Sequence, residues 1–173
     1  MSWIKTRVKR RERRDDGSLV FVYPYDGPGG PAEAETRGQG TTHIGGRGIP
    51  AVEVECDLHS KARAFKASIR GTIGDRALTI VRPSFGLLPA SRAMRFTLDG
   101  GASWFLVSSG WGQAELRRGD VDGPPVFRRR AVAVEVDDSI TPDEVALLLV
   151  CEVSNPYVYV KIFARILAVT TYV

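Results

Sequence analysis

The stretch "ITPDEVALLLVCEVSNP", Ile140–Pro156, decides the fold, because it holds the strongest helix signal in a chain that otherwise has the patterns of β-strands. Thr141 can cap a helix with its hydroxyl group, and Pro142 suits the first helical position. Glu144 completes a capping box with Thr141, in which each side chain bonds the backbone of the other residue. We therefore predict that a helix begins here.

The predicted helix is apolar on almost every side. Within Val145–Val153 only Glu152 is charged, and a helix with this pattern is buried rather than laid on a surface. Pro156 ends the helix, because proline disfavours helical backbone in the residue before it. We predict a buried apolar helix over about 142–154.

The chain after this helix is ambiguous. As a strand, the segment 157–172 places alternate apolar residues on one face, whereas as a helix it gathers Lys161 and Arg165 into a polar stripe. We favour the strand, and the helical alternative stays open. A transmembrane helix is not expected, because Glu152, Lys161 and Arg165 interrupt every window of the roughly twenty apolar residues that a span requires.

The sequence before the helix alternates between apolar and polar residues, as half-buried strands do. In "AVEVEC", Ala51–Cys56, valines alternate with glutamates, and "MRFTLDGGASWFLVSS" holds two such runs around an Asp-Gly-Gly turn. Turn signals recur roughly every eight to twelve residues, which is typical of barrels and sandwiches. We count about eight strands, the others being "SLVFVYPY", "RAFKASIRGTI", "GDRALTIV", "QAELRRG" and "PVFRRRAVAVEV", the last interpreted as one strand.

One segment breaks this pattern of strands. "GQGTTHIGGRGIP", residues 38–50, holds five glycines, and glycine weakens regular elements. We predict a Gly-rich loop over 38–50 that is either mobile or has a backbone that passes close to some other group.

The composition indicates one domain over 1–173. A chain of 173 residues with 43% hydrophobic residues can bury a sizeable core, and a charged fraction of 25% argues against disorder. The predicted fold is mainly β, an antiparallel barrel or sandwich of about eight or more strands with one buried apolar C-terminal helix. That helix either fills the barrel or plugs its mouth, or it packs across one open face of a sandwich, and the sequence does not separate these arrangements.

The cysteines indicate a reducing compartment. Cys56 and Cys151 lie far apart without a paired spacing, and the basic N-terminus has no apolar run of a secretory signal behind it. We predict a cytoplasmic location and interpret both thiols as small buried hydrophobic groups.

Three stretches resemble a known family. "ALTIVRPS", "MRFTLDGGASWFLV" and "FRRRAVAVEVDDSITPDEVALLLVCEV" resemble the tubby C-terminal-like superfamily, which includes LURP-one-related and phospholipid scramblase-like proteins. The resemblance covers about half of the chain, Arg76 to Val153. It implies a closed β-barrel around a central hydrophobic helix, with phosphoinositide or lipid association in some relatives. The Gly-rich stretch and the continuation past the helix depart from the family pattern.

The basic N-terminal segment 1–14 is the main candidate site. Its cations could neutralise phosphates of an anionic membrane or of nucleic acid, with Trp3 as an interfacial anchor or stacking partner. The alternative is an edge strand whose charges prevent aggregation. Arg128–Arg130 could extend this surface, although we favour a role in solubility for them. The cations of the segment are Lys5, Arg7, Lys9, Arg10, Arg11, Arg13 and Arg14, with Glu12 as the single acid.

Metal and catalytic sites are not expected. His43, Cys56, Asp57 and His59 have metal-binding side chains, but "CDLH" supplies one short pair, whereas structural zinc needs four ligands. The chain contains no nucleophile elbow, HExxH or phosphate-binding loop motif. We therefore predict that the protein is not an enzyme and uses no cofactor.

These observations favour a non-enzymatic binding or accessory module that associates peripherally with anionic lipid through the basic segment. The alternative is a protein–protein interaction or assembly protein that uses the barrel rim and the Gly-rich loop. Nucleic acid is the less favoured partner, because few aromatic residues accompany the cations.

Overall fold

The structure is a computed structural model that describes residues 2–36, 41–55, 68–83, 93–110, 113–130 and 133–154. These residues form thirteen strands and one helix, so the prediction of a mainly β fold with a C-terminal helix is confirmed. The elements are β1 (Trp3–Thr6), β2 (Arg11–Asp15), β3 (Ser18–Tyr25), β4 (Ala32–Thr36), β5 (Thr41–Gly46), β6 (Ile49–Glu55), β7 (Ser68–Ile73), β8 (Arg76–Val81), β9 (Met94–Leu98), β10 (Ser103–Gly110), β11 (Gln113–Arg118), β12 (Pro125–Arg130), β13 (Ala133–Asp137) and α1 (Pro142–Ser154).

The strands form one antiparallel sheet. From β2 to β13 each strand pairs with the next along the chain, and β13 pairs with β1. Tight turns join many of the neighbours, and glycines supply the positive φ angles that such turns need. The predicted Asp-Gly-Gly hairpin is confirmed, because Gly100 and Gly101 have φ angles of 95° and 92° between β9 and β10.

The N-terminal segment links the two edges of the sheet. Twelve antiparallel pairings lead from β1 around to β2, an even number, so the two edge strands run in the same direction. Only Arg7–Arg10 joins them, a link that spans at most about 18 Å. The first half of the segment therefore pairs with β13 and the second half with β3. The sheet curls until its edges approach, although the hydrogen-bonded ladder is not closed between them.

The helix lies inside this curled sheet. Every residue from Glu144 to Val153 is buried, and α1 packs against β3, β4, β5 and β6. Its acidic side chains form ion pairs with arginines of β8, β11 and β12. Strands from both halves of the sheet thus contact one helix, as in an open barrel with the helix as its core.

Two strand assignments differ from the sequence prediction. "PVFRRRAVAVEV" is not one strand but two, β12 and β13, which pair in antiparallel register with Arg128 opposite Glu135. β4 was not predicted, because its buried face rests on small residues such as Ala32 and Ala34. β1 and β2 are the edge strands of the sheet, as in the edge-strand alternative for the basic segment, and a role of their charges against aggregation stays a prediction. The ambiguous segment 157–172 lies outside the described residues.

The Gly-rich segment is largely a hairpin rather than a loop. Residues 41–46 form β5, and β6 begins at Ile49, so the loop prediction over 38–50 is wrong for these residues. A Cβ atom on Gly46 would lie 2.4 Å from the carbonyl oxygen of Pro31 and 2.7 Å from Cα of Ala32. Glycine is thus needed at position 46, because β5 passes close to the start of β4 there. This close approach of the backbone is the second alternative given for the Gly-rich segment.

Candidate functional site

The basic segment lies entirely on the surface. Its residues form β1, the link Arg7–Arg10 and β2, so the cations follow the two edges of the sheet and the chain between them. The side chains of all seven are exposed, namely Lys5, Arg7, Lys9, Arg10, Arg11, Arg13 and Arg14.

Few of these cations are neutralised by carboxylates. The Arg10 guanidinium lies 3.1 Å from a carboxylate oxygen of Glu12, and Arg13 forms an ion pair with Glu35. Lys5 stands opposite Glu135 in the sheet. In the part of the chain that the structure describes, the remaining four cations have no carboxylate within ion-pairing distance: Arg7, Lys9, Arg11 and Arg14.

Apolar side chains accompany the cations, but Trp3 is already engaged. The Arg128 guanidinium lies over the Trp3 ring at 4.1 Å from its centroid, a distance at which a cation is attracted to the ring face. Among the described residues, the exposed large hydrophobic side chains are Ile4, at 39%, and Leu19, at 44%. Both belong to the same N-terminal region as the cations.

Arg128 does not extend the basic surface. Its Nε donates to Glu135 at 2.5 Å, and that hydrogen bond lowers the pKa of Glu135, with burial opposing the shift. Across β1, β13, β12 and β11 the outer face thus alternates in charge, through Lys5, Glu135, Arg128 and Glu115. Through Glu135 of β13 and Trp3 of β1, Arg128 of β12 contacts two other strands, and its role in solubility stays a prediction.

Arg129 faces the opposite side of the sheet, as the alternation of strand residues requires. Its Nη1 donates to Glu152 of α1 at 2.5 Å. Two further inward-facing arginines hold the first turn of the helix. Arg76 of β8 donates to Asp143 at 2.7 Å, and Arg118 of β11 donates to Glu144. Each acid of α1 is therefore bound by an arginine from a different strand.

Glu144 is the centre of the largest of these groups. Its carboxylate, in a residue only 2% exposed, accepts hydrogen bonds from Arg118 at 2.6 and 2.8 Å and from the Trp104 indole at 2.9 Å. The carboxylate also accepts a hydrogen bond from the Thr141 backbone N–H at 2.9 Å, and the Glu144 backbone N–H donates to the Thr141 hydroxyl at 3.4 Å. The predicted capping box is therefore confirmed. Burial acts to raise the pKa of Glu144, but these hydrogen bonds outweigh burial and hold the pKa below its ordinary value.

The other candidate side chains come together only in part. His43 lies on β5 between Glu35 and Glu53 of the neighbouring strands, yet no group of residues suited to a metal ion occurs in the described ranges. Cys56, Asp57 and His59 lie outside these ranges. Cys151 is fully buried in α1, and burial raises the pKa of its thiol well above the ordinary value, as an inert hydrophobic group requires.

A small cavity lies between α1 and the inner face of the sheet. At the C-terminal end of α1 a cavity of about 10 Å³ is lined by Thr42, Val54, Val150 and Val153 among others, which is about the space of one water molecule. No helix in the described part of the chain is long and apolar enough to cross a bilayer.

Comparison with known proteins adds no assignment: no protein-family model, curated protein or solved structure matches the chain. The sequence identified the basic segment and the capping box from local spacing. It missed the ion pairs of the inward arginines, because their carboxylate partners lie between 23 and 67 residues away in the chain. For Arg129, alternation along the strand indicated a side chain that points opposite to those of its neighbours, but not the partner that it binds.

Proposed function

We propose that the protein is a binding module that associates peripherally with anionic lipid surfaces through its basic N-terminal segment. The observation that carries this proposal is the exposure of all seven cations of the segment, four of which have no carboxylate partner among the described residues. Buried or neutralised cations would be of no use for this purpose.

The segment is held in place by the sheet rather than left as a free arm. β1 pairs with β13 over Trp3–Thr6, and β2 pairs with β3 over Arg11–Asp15. The cations therefore follow one continuous stretch of chain, from Lys5 to Arg14, in a line along the two edges of the sheet rather than in a compact pocket. A line of charge fits a planar anionic surface better than a single small anion.

Apolar contacts support the same kind of ligand. Ile4 and Leu19, the exposed large hydrophobic side chains of the described residues, lie near the two ends of this line. Side chains of this type enter the interface of a bilayer when adjacent cations bring them to its surface. The resemblance to the tubby C-terminal-like superfamily stays a prediction, and it points to lipid as well.

The test is co-sedimentation with vesicles of neutral lipid alone and of neutral lipid mixed with phosphatidylserine, at low and high salt. Binding to the anionic vesicles should weaken as salt rises. Replacement of Arg7 and Lys9 by serine should reduce partitioning by about fivefold for each cation removed. These two residues lie in the link, outside the paired strands, so the fold should persist.

The matched control is the double variant Arg47→Ser, Arg95→Ser. Both of these arginines are exposed and lie outside the basic segment, so the net charge changes equally while the segment stays intact. Equal losses in both variants would indicate a general charge effect and reject the segment as the site. Preference for a labelled oligonucleotide over anionic vesicles would instead assign the surface to nucleic acid.

A further inference from the structure

We propose that two copies of this chain pair edge to edge through β2, in antiparallel register about Arg13. This inference goes beyond lipid association and does not depend on it. β2 lies at the edge of the sheet, and no strand among the described residues pairs with the side of β2 that faces away from β3. Such an edge presents unpaired backbone groups to another strand.

The hairpin geometry identifies which backbone groups point outward. β2 and β3 are joined by Asp16 and Gly17, with φ angles of 47° and 79°, as in a type I′ turn. In this hairpin the flanking pair Asp15 and Ser18 is hydrogen-bonded, and bonded and non-bonded pairs then alternate along the ladder. The N–H and C=O groups of Glu12 and Arg14 therefore point away from β3.

The sequence of β2, "RERRD", is complementary in charge to itself when reversed. Pairing about Arg13 places Glu12 of one copy opposite Arg14 of the other, and Arg11 opposite Asp15. Glu12 and Arg14 are also the residues whose backbone groups face the open edge, so the same register satisfies both the hydrogen bonds and the charges. The central Arg13 residues would meet each other, but each already has Glu35 of its own chain as an ion-pair partner.

Neighbouring registers that keep the hydrogen-bonding phase are disfavoured. A shift of two residues in one direction places Glu12 opposite Glu12 and Arg11 opposite Arg13. A shift in the other direction places Arg14 opposite Arg14 and Glu12 opposite Asp16, although it also places Arg13 opposite Asp15. Charges on an edge strand usually oppose pairing, but the register about Arg13 joins opposite charges at four of its five residue pairs, against two of five and none in the two shifted registers, so the charges favour this register.

The pairing also continues the sheet in a consistent way. A two-fold axis through Arg13 gives an isologous contact, in which both copies use the same residues. The side chains of β2 are exposed from Arg11 to Arg14, so none has to leave the core. Because only five residues pair, the dimer should be weak and dependent on concentration.

The experiment measures sedimentation velocity of the full chain over a roughly hundred-fold range of concentration at low salt, where weak association becomes visible. We expect a monomer–dimer equilibrium. Glu12→Pro removes an N–H that the hairpin does not use, and should weaken dimerisation at least about tenfold, more than the control Glu12→Ala, which keeps the N–H. Both variants keep all seven cations, so vesicle binding should persist and the two proposals fail independently.

Charge reversal gives the decisive comparison. Glu12→Arg places arginines at both central positions, and Arg14→Glu places glutamates at both, so each variant alone should be monomeric. An equimolar mixture should form a heterodimer, because both pairs between positions 12 and 14 then join opposite charges. A monomer at all concentrations, a dimer indifferent to Glu12→Pro, or a mixture that stays monomeric would each overturn the proposal.

Discussion

At the scale of single residues, Glu144 performs two tasks that the sequence presents as one. As the third residue after Thr141 it caps the helix, and its carboxylate also joins α1 to Trp104 of β10 and Arg118 of β11. The first task follows from a local spacing and was predicted. The second depends on residues brought together by the curling of the sheet, so only the structure shows it.

Replacement of Glu144 by alanine should destabilise the fold by about 3 kcal/mol, because it leaves a buried indole N–H and a half-buried guanidinium without their acceptor. The neighbouring Asp143→Ala is the matched control. Its ion pair with Arg76 is more exposed, at 25% and 41% for the two side chains, and should contribute much less. Urea denaturation of the two variants measures the difference, and equal losses would contradict the role given to Glu144.

Cys151 should resist modification in the folded protein. Its thiol is fully buried, and burial raises its pKa well above the ordinary value, so little of the reactive thiolate is present at neutral pH. Iodoacetamide treatment followed by peptide mass spectrometry should show Cys151 modified only after denaturant is added. Modification in native buffer would indicate that α1 leaves the barrel interior on the time scale of the reaction.

At the scale of elements, the sequence predicted the strands whose apolar residues alternate regularly. It missed strands that are built from small residues. The alternation in β6 and the turn between β9 and β10 were visible because valines and glycines stand at the required spacing. β5 was not visible, because its glycines resemble a loop until their neighbours are known. Whether a glycine marks a turn or a close contact depends on what lies opposite it.

Gly46→Ala should destabilise the protein by about 2 kcal/mol, because its Cβ would lie 2.4 Å from the Pro31 carbonyl oxygen and the backbone of β4 would have to move. Gly45 provides an adjacent control, since a Cβ there meets nothing within 4 Å. Gly45→Ala should be neutral or slightly stabilising. Thermal denaturation of both variants tests the hairpin, and a Gly46→Ala protein as stable as the wild type would argue against this packing.

At the scale of the whole molecule, one segment and one helix determine how the sheet curls. The N-terminal segment lies along both edges, while α1 binds strands on several sides through its apolar surface and its three acids. The hydrogen-bonded ladder of the described strands ends at β1 and β2 and is not closed between them. The sequence could predict that the helix is buried but not whether a barrel or a sandwich encloses it, because that depends on contacts between residues far apart in the chain.

The same arrangement predicts sensitivity to acid. The pKa of Glu144 is lowered in the folded state, where hydrogen bonds from Arg118, Thr141 and Trp104 outweigh the opposing effect of burial. A lowered folded-state pKa contributes stability that is fully present above the unfolded value of about 4.3 and is lost as the pH falls through the folded value. Stability to urea should therefore decline below about pH 4.5.

Glu144→Gln separates this effect from the general titration of carboxylates. The variant should be less stable than the wild type at pH 7, because an amide replaces the carboxylate that binds Arg118, and the difference should shrink as the pH falls and the wild-type carboxylate becomes protonated. Glu33→Gln, at an exposed position of β4, should leave the pH profile unchanged. Urea titrations from pH 7 to about pH 3 measure both profiles. A difference between wild type and Glu144→Gln that stays constant over this range would show that the charge of Glu144 does not hold the helix in the barrel.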